Sequence, residues 1–295
     1  MKKKSKNKEI NSDLNYALEQ IQNKVLWLAV YMVDYANKHT SSASGLKVGG
    51  HQASSSSVAT IMTYLFFEFM KNTDAISIKP HSSPVFHAIQ YLLGNLDKKY
   101  LKALRAFGGL QAYPSRTKDP DNVDFTTGSV GLGAVAPNFA WLASEYIHAR
   151  FDLPPETKGN FISLVGDAEL DEGVVWEAID DQSLSAINRL IWIIDLNRQS
   201  LDRVIPGIRI NVWRQMFEAN GWNVVEAKYG SLLESAFAMD KGELLRESID
   251  NMPNQMYQRL LRSDGLVIRD WLPKFTKHES DLREFINQWD NAGLL

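Results

Sequence analysis

Three oxygen-bearing side chains follow two apolar segments in the middle of the chain. Asp167 comes directly after the run Phe161–Gly166, and Asn197 and Gln199 follow a second run that ends at Asp195. The intervening residues are typical of a helix, so residues 161–206 predict a βαβ unit whose strands end at one edge of a parallel sheet. There the Asp167 carboxylate and the Asn197 amide, 30 residues apart in sequence, would converge with a backbone carbonyl. Such hard oxygen ligands suit Mg²⁺, which keeps positions for water and phosphate oxygens.

An anion would also find favourable groups at this predicted edge. A helix that begins after Asp171 and Glu172 directs free N–H groups toward it, and the small residues Gly166 and Ala168 allow a close approach of the backbone. The same residues have a structural interpretation, with Asp167 as a helix N-cap and ordinary turn residues at 195–199. The residue chemistry alone supports both interpretations equally. For the acidic pair, the first turn of a helix is a better explanation than a proton relay.

The composition is that of an ordinary globular protein. The chain has 295 residues, of which 44% are hydrophobic and 23% charged, enough for one large or two small domains. A net charge of −3 gives no argument for nucleic acid or membrane partners, and no segment reaches the ~18 apolar residues of a membrane span. The absence of cysteine excludes disulfides, thiolate metal sites and cysteine nucleophiles, and it fits a cytoplasmic protein. Residues 1–11 are basic and predict a disordered, solubilising tail, with a partner-docking arm as the alternative.

Helical and strand-like segments alternate along most of the chain, which predicts an α/β fold with a mostly parallel sheet flanked by helices. Residues 12–240 are predicted to form this domain, and residues 241–295 a helical segment. Residues 108–133 are rich in Gly, Pro and Asp with interspersed aromatic residues, which predicts an ordered, functional loop. The predicted helices cover residues 12–38, 52–70, 84–93, 134–150, 211–220 and 231–239, and two further strands cover 75–78 and 222–227.

The central unit resembles the thiamine diphosphate motif, in which a GDG turn is followed, after the next strand, by an asparagine. The wider segment GDAELDEG…IIDLNRQSLD…FEANGWNVVE is similar to the homodimeric pyruvate dehydrogenase E1 component, a relative of transketolase. Upstream, the stretches GGHQASSSSVAT, KPHSSPVFHAIQYLLG, GGLQAYPSR and TTGSVGLG fit the same family in order. The resemblance covers residues 20–290 and implies the thiamine diphosphate-binding fold of a transketolase-like N-terminal domain.

The resemblance also implies roles for individual residues toward thiamine diphosphate and Mg²⁺. Asp167, Asn197 and the carbonyl of Gln199 match the family's Mg²⁺ ligands. His51 and His81 match its active-site histidines, and a neutral imidazole can donate to a developing alkoxide or move a proton near pH 7. Val130 stands where the family often has methionine. The residues implied at the cofactor are His51, Ser54, Tyr113, Val130, Gly166, Asp167, Ala168, Glu169 and Asn197. The other histidines are interpreted as structural; they are His39, His87, His148 and His278.

Two residues depart from the family pattern. Ala168 replaces the second glycine of the motif, and its methyl group is tolerable only if φ is negative. Asp195 stands where asparagine is common, and its carboxylate would change the charge near the metal. Ala168 lies in the turn that would line the diphosphate, whereas Asp195 lies near the implied metal.

The function implied by the resemblance is that of an E1 component, which decarboxylates pyruvate or another 2-oxo acid oxidatively and passes the acyl group to a lipoyl carrier. Family members also have a domain that binds the aminopyrimidine ring and supplies an activating glutamate, and no stretch of this sequence resembles it. We therefore expect the chain alone to be inactive and to need that domain from another chain or a missing region. The resemblance further implies a homo- or hetero-oligomer, with an apolar interface exposed in the isolated chain, and a lipoyl-bearing E2 partner. The alternatives are transketolase-type ketol transfer and a non-catalytic remnant; the motifs GGHxAS and GLQAYPS favour the E1 component over transketolase.

Overall fold

The computed structural model describes residues 2–39, 49–50, 52–184, 188–196, 199–200, 203–204 and 209–294, with side chains from residue 13 onward except at 199–200 and 203–204. The chain forms two compact units, unit 1 comprising residues 1–197 and unit 2 residues 198–295. The helices are α1 Lys2–His39, α2 Gln52–Ser56, α3 Ala59–Tyr64, α4 Ser83–Leu92, α5 Leu132–Phe151, α6 Gly173–Ile179, α7 Ile210–Ala219, α8 Ser231–Phe237, α9 Gly242–Asn251, α10 Asn254–Leu260, α11 Gly265–Trp271 and α12 Glu279–Ile286. The strands are β1 Ala75–Ser77, β2 Phe161–Gly166, β3 Leu190–Asp195, β4 Gln199–Ser200 and β5 Arg203–Val204.

Unit 1 contains a parallel sheet with the order β1-β2-β3, in which β2 pairs with both neighbours. Ala75 is opposite Phe161 on one side of β2, and Gly166 is opposite Asp195 on the other. The strands β2 and β3 are joined through α6, as the predicted βαβ unit requires. The α/β fold with a parallel sheet is therefore confirmed. The crossover is more broken than predicted, because α6 is flanked by short 3₁₀ turns at Asp167–Asp171 and Gln182–Leu184.

The apolar face of the first helix forms part of the core. Val25, Leu28 and Met32 are buried and join a cluster with residues of α4 and β2, including Phe86 and Ile162. Their spacing of three and four residues brings them to one face of α1, and this face packs on the sheet-bearing body of unit 1. The helix begins at Lys2, so residues 1–11 do not form the predicted disordered tail; the helical conformation continues through Lys2 to Ile10.

Three further sequence predictions differ from the structure. The helix predicted over 52–70 is interrupted, because α2 and α3 are separate and a π-helical turn follows at Leu65–Phe69. Residues 222–227 have no regular secondary structure, so the strand predicted there is absent from this described segment. The units divide near residue 197 rather than at 240, because Ala236 and Phe237 of α8 pack with Leu245 of α9. The helices predicted over 84–93, 134–150, 211–220 and 231–239 are confirmed as α4, α5, α7 and α8.

Unit 2 is helical beyond residue 209, and its helices enclose a separate apolar cluster that includes Leu260, Leu282 and Ile286. Helices α9 to α12 lie within residues 241–295, the segment that the sequence predicts to be helical. Among the described residues, none of the helices combines the length and the apolar content that crossing a bilayer requires.

The N-cap of α11 offers a simple test of unit 2. Asp264 accepts a hydrogen bond from the Val267 amide at 3.0 Å and so satisfies one of the unpaired N–H groups in the first turn. We expect Asp264→Ala to lower the free energy of unfolding by about 1 kcal/mol. Urea unfolding followed by circular dichroism measures this change. Asp264→Asn keeps an accepting oxygen and should unfold like the wild type; an equal loss in both variants would contradict the capping role.

Candidate functional site

Charged side chains are buried at the edge where the three parallel strands of unit 1 end. Lys79 lies two residues after β1, Asp167 directly follows β2, and Asp195 is the last residue of β3. Their exposed fractions are 4%, 2% and 7%. Lysine and aspartate are almost never this buried unless they are paired, so these side chains are expected to have oppositely charged or hydrogen-bonding partners at the edge.

Lys79 and Asp195 form an ion pair across the sheet edge. The Lys79 Nζ lies 2.6 Å from Asp195 Oδ2, and the Ser57 hydroxyl donates to the same oxygen at 2.6 Å. Asp195 is one of the two departures from the family pattern, and the structure shows that Lys79 balances its charge. Because a buried ion pair costs desolvation energy, the main effect of this contact is to fix the geometry of β1, β3 and the turn before α3.

The turn after β2 is held by hydrogen bonds within it. Glu169 Oε2 accepts from the Gly166 amide at 2.9 Å, and Asp167 Oδ1 accepts from the Ala168 amide at 3.0 Å. Among the described residues other than glycine, positive φ occurs at Arg105, Asp152 and Lys241, so Ala168 has a negative φ. The methyl group of Ala168 is therefore accommodated without backbone strain, and this departure from the motif leaves the turn intact.

The carboxyl of Glu169 is the most perturbed acid at this edge. Burial raises its pKa to about 7, although the hydrogen bond from the Gly166 amide and the nearby Lys79 lower it and Glu172 raises it further. Glu169 is 8% exposed. A buried carboxyl with a pKa near neutrality is common at functional sites, where a ligand or metal supplies the missing compensation.

A second group of predicted residues meets beside this edge. The rings of His81 and Tyr113 are in edge contact with centroids 5.4 Å apart, and Ser129 Oγ lies 3.3 Å from His81 Nε2. The Ser55 hydroxyl of α2 donates to the His81 carbonyl at 3.3 Å. Since only Pro80 separates Lys79 from His81 in sequence, the ion pair and this aromatic group are neighbours within unit 1.

The loop between residues 103 and 131 contains most of the loop predicted over 108–133, and acidic side chains fix it to the rest of unit 1. It ends at Gly131 because α5 begins at Leu132. Asp119 accepts from the amides of Gln111 and Ser115, and Asp124 accepts from the Ile76 amide at 2.9 Å. The Asp121 carboxylate lies 2.6 Å from His87 Nδ1 of α4. These contacts hold the segment that carries Tyr113 and Ser129.

The end of the same loop approaches α6 closely. Gly131 has φ +76°, and a Cβ built there would lie 3.0 Å from Cβ of Glu172 and 3.1 Å from the Val175 side chain. Only glycine meets both conditions without strain. The loop therefore reaches the start of α6, beside the turn that carries Asp167 and Glu169, with Val130 half-exposed at this point.

The structure describes most of the predicted site residues but not all of them. His51 and Asn197 lie outside the described residues, and Gln199 is described only by its backbone, as the first residue of β4 in unit 2. Ser54 is half-buried in α2. Within the described part of the chain, no three His, Asp or Glu side chains gather into a metal-binding cluster. Asp167 is the one carboxylate in the Mg²⁺ ligand set that the resemblance implies. The binding of Mg²⁺ by Asp167, Asn197 and the Gln199 carbonyl stays a prediction.

Sequence reasoning missed Lys79 and Ser57. Both lie within motifs that resemble the family, in which roles at the cofactor were given to the neighbouring residues His81 and Ser54. The pattern ISIKP indicated a role for Lys79, because a lysine that follows an apolar strand segment is buried only when an anionic group pairs with it. The aspartate at 195, where asparagine is common, supplies that anion.

Comparisons with known proteins agree with this fold. Residues 33–242 match the family model described as transketolase, thiamine diphosphate binding domain. The chain is 29% identical over 287 residues to the pyruvate dehydrogenase E1 component of Buchnera aphidicola subsp. Schizaphis graminum, covering 92% of this chain and 31% of the relative. It is also 29% identical over 268 residues to the pyruvate dehydrogenase E1 component of Escherichia coli K12, covering 87% of this chain and 30% of the relative.

Two solved transketolase structures have a similar fold. The transketolase from Leishmania mexicana matches with a TM-score of 0.58 and 25% identity, covering 72% of this chain and 32% of that one. The transketolase from Campylobacter jejuni matches with a TM-score of 0.56 and 25% identity, covering 69% and 32%. The chain thus spans about a third of the length of these relatives. Because the family model covers residues 33–242, which include the parallel sheet and the loop that carries Tyr113, the chain belongs to the transketolase family of thiamine diphosphate-binding domains.

Proposed function

We propose that this chain is the diphosphate-binding part of a thiamine diphosphate-dependent 2-oxo acid dehydrogenase E1 component acting on pyruvate. The observation that carries the proposal is the sheet edge of unit 1, where Asp167, Glu169 and the Lys79–Asp195 ion pair are buried at the ends of the parallel strands, in a family that binds thiamine diphosphate. The relatives named above by sequence are pyruvate dehydrogenase E1 components. The order of the motifs along the chain supports the same assignment.

The residues present fit a metal–diphosphate group. Asp167 is 2% exposed at the end of β2, where its carboxylate is of the hard oxygen type that suits Mg²⁺, and Asn197 and the Gln199 carbonyl are the proposed further ligands. Gly166, Ala168 and Glu169 would line the diphosphate, whereas His51, Ser54, Tyr113 and Val130 would lie toward the rings. When bound, thiamine diphosphate supplies the carbanion chemistry that cleaves a bond next to a carbonyl group. His81 would hold or move a proton near the substrate, with its orientation set by Tyr113 and Ser129.

The proposed activity also includes partners. Activation of the thiamine ring needs a glutamate from a pyrimidine-binding domain, so we expect the chain to work in an oligomer that supplies it, in the cytoplasm and with a lipoyl-bearing acceptor. The polypeptide of 295 residues should by itself decarboxylate pyruvate no faster than its Asp167→Asn variant. Turnover clearly above that variant would show that activation does not depend on a partner.

Cofactor binding is the direct test of the proposal. Isothermal titration with thiamine diphosphate and Mg²⁺ should show saturable binding, and Asp167→Asn should weaken it at least tenfold, because a neutral amide is a poorer Mg²⁺ ligand than a carboxylate. Asp180→Asn, an exposed change on the same unit, is the matched control and should bind like the wild type. No heat of binding for the wild type would instead favour a non-catalytic remnant.

The second candidate is ketol transfer, because the solved structures of this fold that match are transketolases. The two functions are separated by supplying the pyrimidine-binding region of either an E1 component or a transketolase. Pyruvate decarboxylation after pairing with the first would support our assignment. Ketose cleavage after pairing with the second, without decarboxylation in the first mixture, would support the alternative.

A further inference from the structure

The Lys79 ammonium has hydrogen-bonding capacity that the ion pair does not use. An ammonium group has three N–H donors. Within the described residues, its one hydrogen-bond acceptor is Asp195 Oδ2, at 2.6 Å. The side chain is 5% exposed, so water cannot freely satisfy the other donors. A buried ammonium in this state favours a further anionic or oxygen-bearing partner.

The position of the side chain shows where that partner would lie. A Cβ built on Gly166 would lie 3.2 Å from Lys79 Cε and 3.6 Å from Glu169 Oε2, so the end of the lysine side chain passes over the turn after β2. This is the turn whose residues Gly166, Ala168 and Glu169 are proposed to line the diphosphate. Glycine at 166 leaves room for the lysine, and the lysine brings a positive charge to the same surface.

The charges at the edge support the same conclusion. Asp167, Glu169 and Asp195 are all buried there, and Lys79 is the cation in contact with this group among the described residues. An incoming diphosphate would meet three carboxyl groups, so one Mg²⁺ ion alone would have to offset most of their repulsion. A resident ammonium reduces that repulsion, and an ammonium is a good point-charge ligand for phosphate.

The geometry points to Lys79 as an anion-binding residue that donates from Nζ to the diphosphate group of the cofactor while Asp195 and Ser57 hold it in place. This inference rests on the proposed function, because it names a ligand of the same site. It assigns Asp195 a role as well: the aspartate is the counter-ion that holds the Lys79 ammonium in place at the sheet edge. The bound group is a diphosphate, and the thiamine rings are not involved in this contact.

The test uses inorganic diphosphate with Mg²⁺ as the probe, alongside thiamine diphosphate with Mg²⁺. Lys79→Gln combined with Asp195→Asn replaces the ion pair by two neutral amides that can still bond, so it removes the cation without leaving a buried carboxylate alone. We expect the double variant to bind both probes at least tenfold more weakly than the wild type. Lys71→Gln, an exposed change in the same unit, is the matched control and should leave both affinities unchanged.

The outcomes separate this inference from the proposed function. If the wild type binds neither probe, the proposed function fails. If the wild type binds both and the folded double variant binds them equally well, Lys79 only positions the strands and the inference is overturned. If the double variant does not fold, the ¹⁵N resonance of Lys79 Nζ in the wild-type chain decides the question. It should shift on saturation with inorganic diphosphate and Mg²⁺ but not with unphosphorylated thiamine, and an unchanged resonance overturns the inference.

Discussion

Replacing His87 with leucine is expected to lower the free energy of unfolding by about 3–5 kcal/mol, the largest effect that we predict for a single substitution. The side chains of His87 and Asp121 are both fully buried, and His87 Nδ1 lies 2.6 Å from Asp121 Oδ2. Leucine has a similar volume but offers no hydrogen bond. The Asp121 carboxylate would then remain in the interior without its partner, and its second oxygen already has none among the described residues.

The same substitution should also loosen the loop between residues 103 and 131. Asp121 fastens the middle of this loop to α4, whereas Arg116 and Lys118 on its outer side are exposed. We expect trypsin to cleave after these two residues faster in His87→Leu than in the wild type. Thiamine diphosphate should bind more weakly as well, because Tyr113 is part of the loop. Urea unfolding, proteolysis and titration measure the three effects.

Two further variants control for the chemistry of this pair. Asp121→Asn keeps a hydrogen-bond acceptor but removes the charge, so it should cost about 1 kcal/mol. His278→Leu changes an exposed histidine of unit 2 and should leave both stability and proteolysis of the loop unchanged. If His87→Leu unfolds at the same urea concentration as His278→Leu, the buried pair does not stabilise the loop.

Glu169→Gln is expected to remove a pH dependence of stability from the metal-free protein. Burial is the main reason that the folded-state pKa of Glu169 is raised from 4.5 to about 7. A carboxyl group whose pKa is higher in the folded state stabilises the fold fully below its unfolded pKa of 4.5. That contribution is lost as the pH rises from there through the folded-state pKa of about 7. The loss is on the order of 3 kcal/mol for a buried group with this shift. The wild type should therefore become less stable between pH 5 and 8 relative to the glutamine variant.

The measurement is urea unfolding in EDTA at several pH values within this interval. Glutamine keeps the shape and an acceptor for the Gly166 amide, so the variant should be the more stable protein at pH 8. Glu156→Gln changes an exposed glutamate and should retain the wild-type slope. Parallel curves for the wild type and Glu169→Gln would show that the Glu169 carboxyl ionises without cost in the folded state.

The sequence was sufficient to predict those parts of the site that follow from strand order. Asp167 and Asp195 come directly after, or at the end of, apolar segments, and parallel strands joined by a helix end at one edge. The helix of residues 12–38 was equally accessible, because its apolar residues recur on one face. In each case a local pattern determines the long-range contact.

Contacts between residues distant in sequence were not accessible in this way. The pairing of Lys79 with Asp195 depends on β1 lying beside β2, and the sequence showed only two separate charged residues. His87 was interpreted as structural, but its partner Asp121 lies in a loop with no periodicity. The division near residue 197 was also missed, since the apolar contacts of α8 with α9 follow from packing rather than from composition.

The pairing of β1 with β2 has a consequence for how the protein folds. Ala75 and Phe161 are opposite each other in the sheet although they are 86 residues apart in the sequence. Long-range parallel pairing of this kind requires the closure of large loops and slows folding. The edge that collects Lys79, Asp167 and Asp195 can form only after that closure, so a cofactor that binds there recognises the completed sheet. Ligand concentration should then slow unfolding and leave the folding rate almost unchanged.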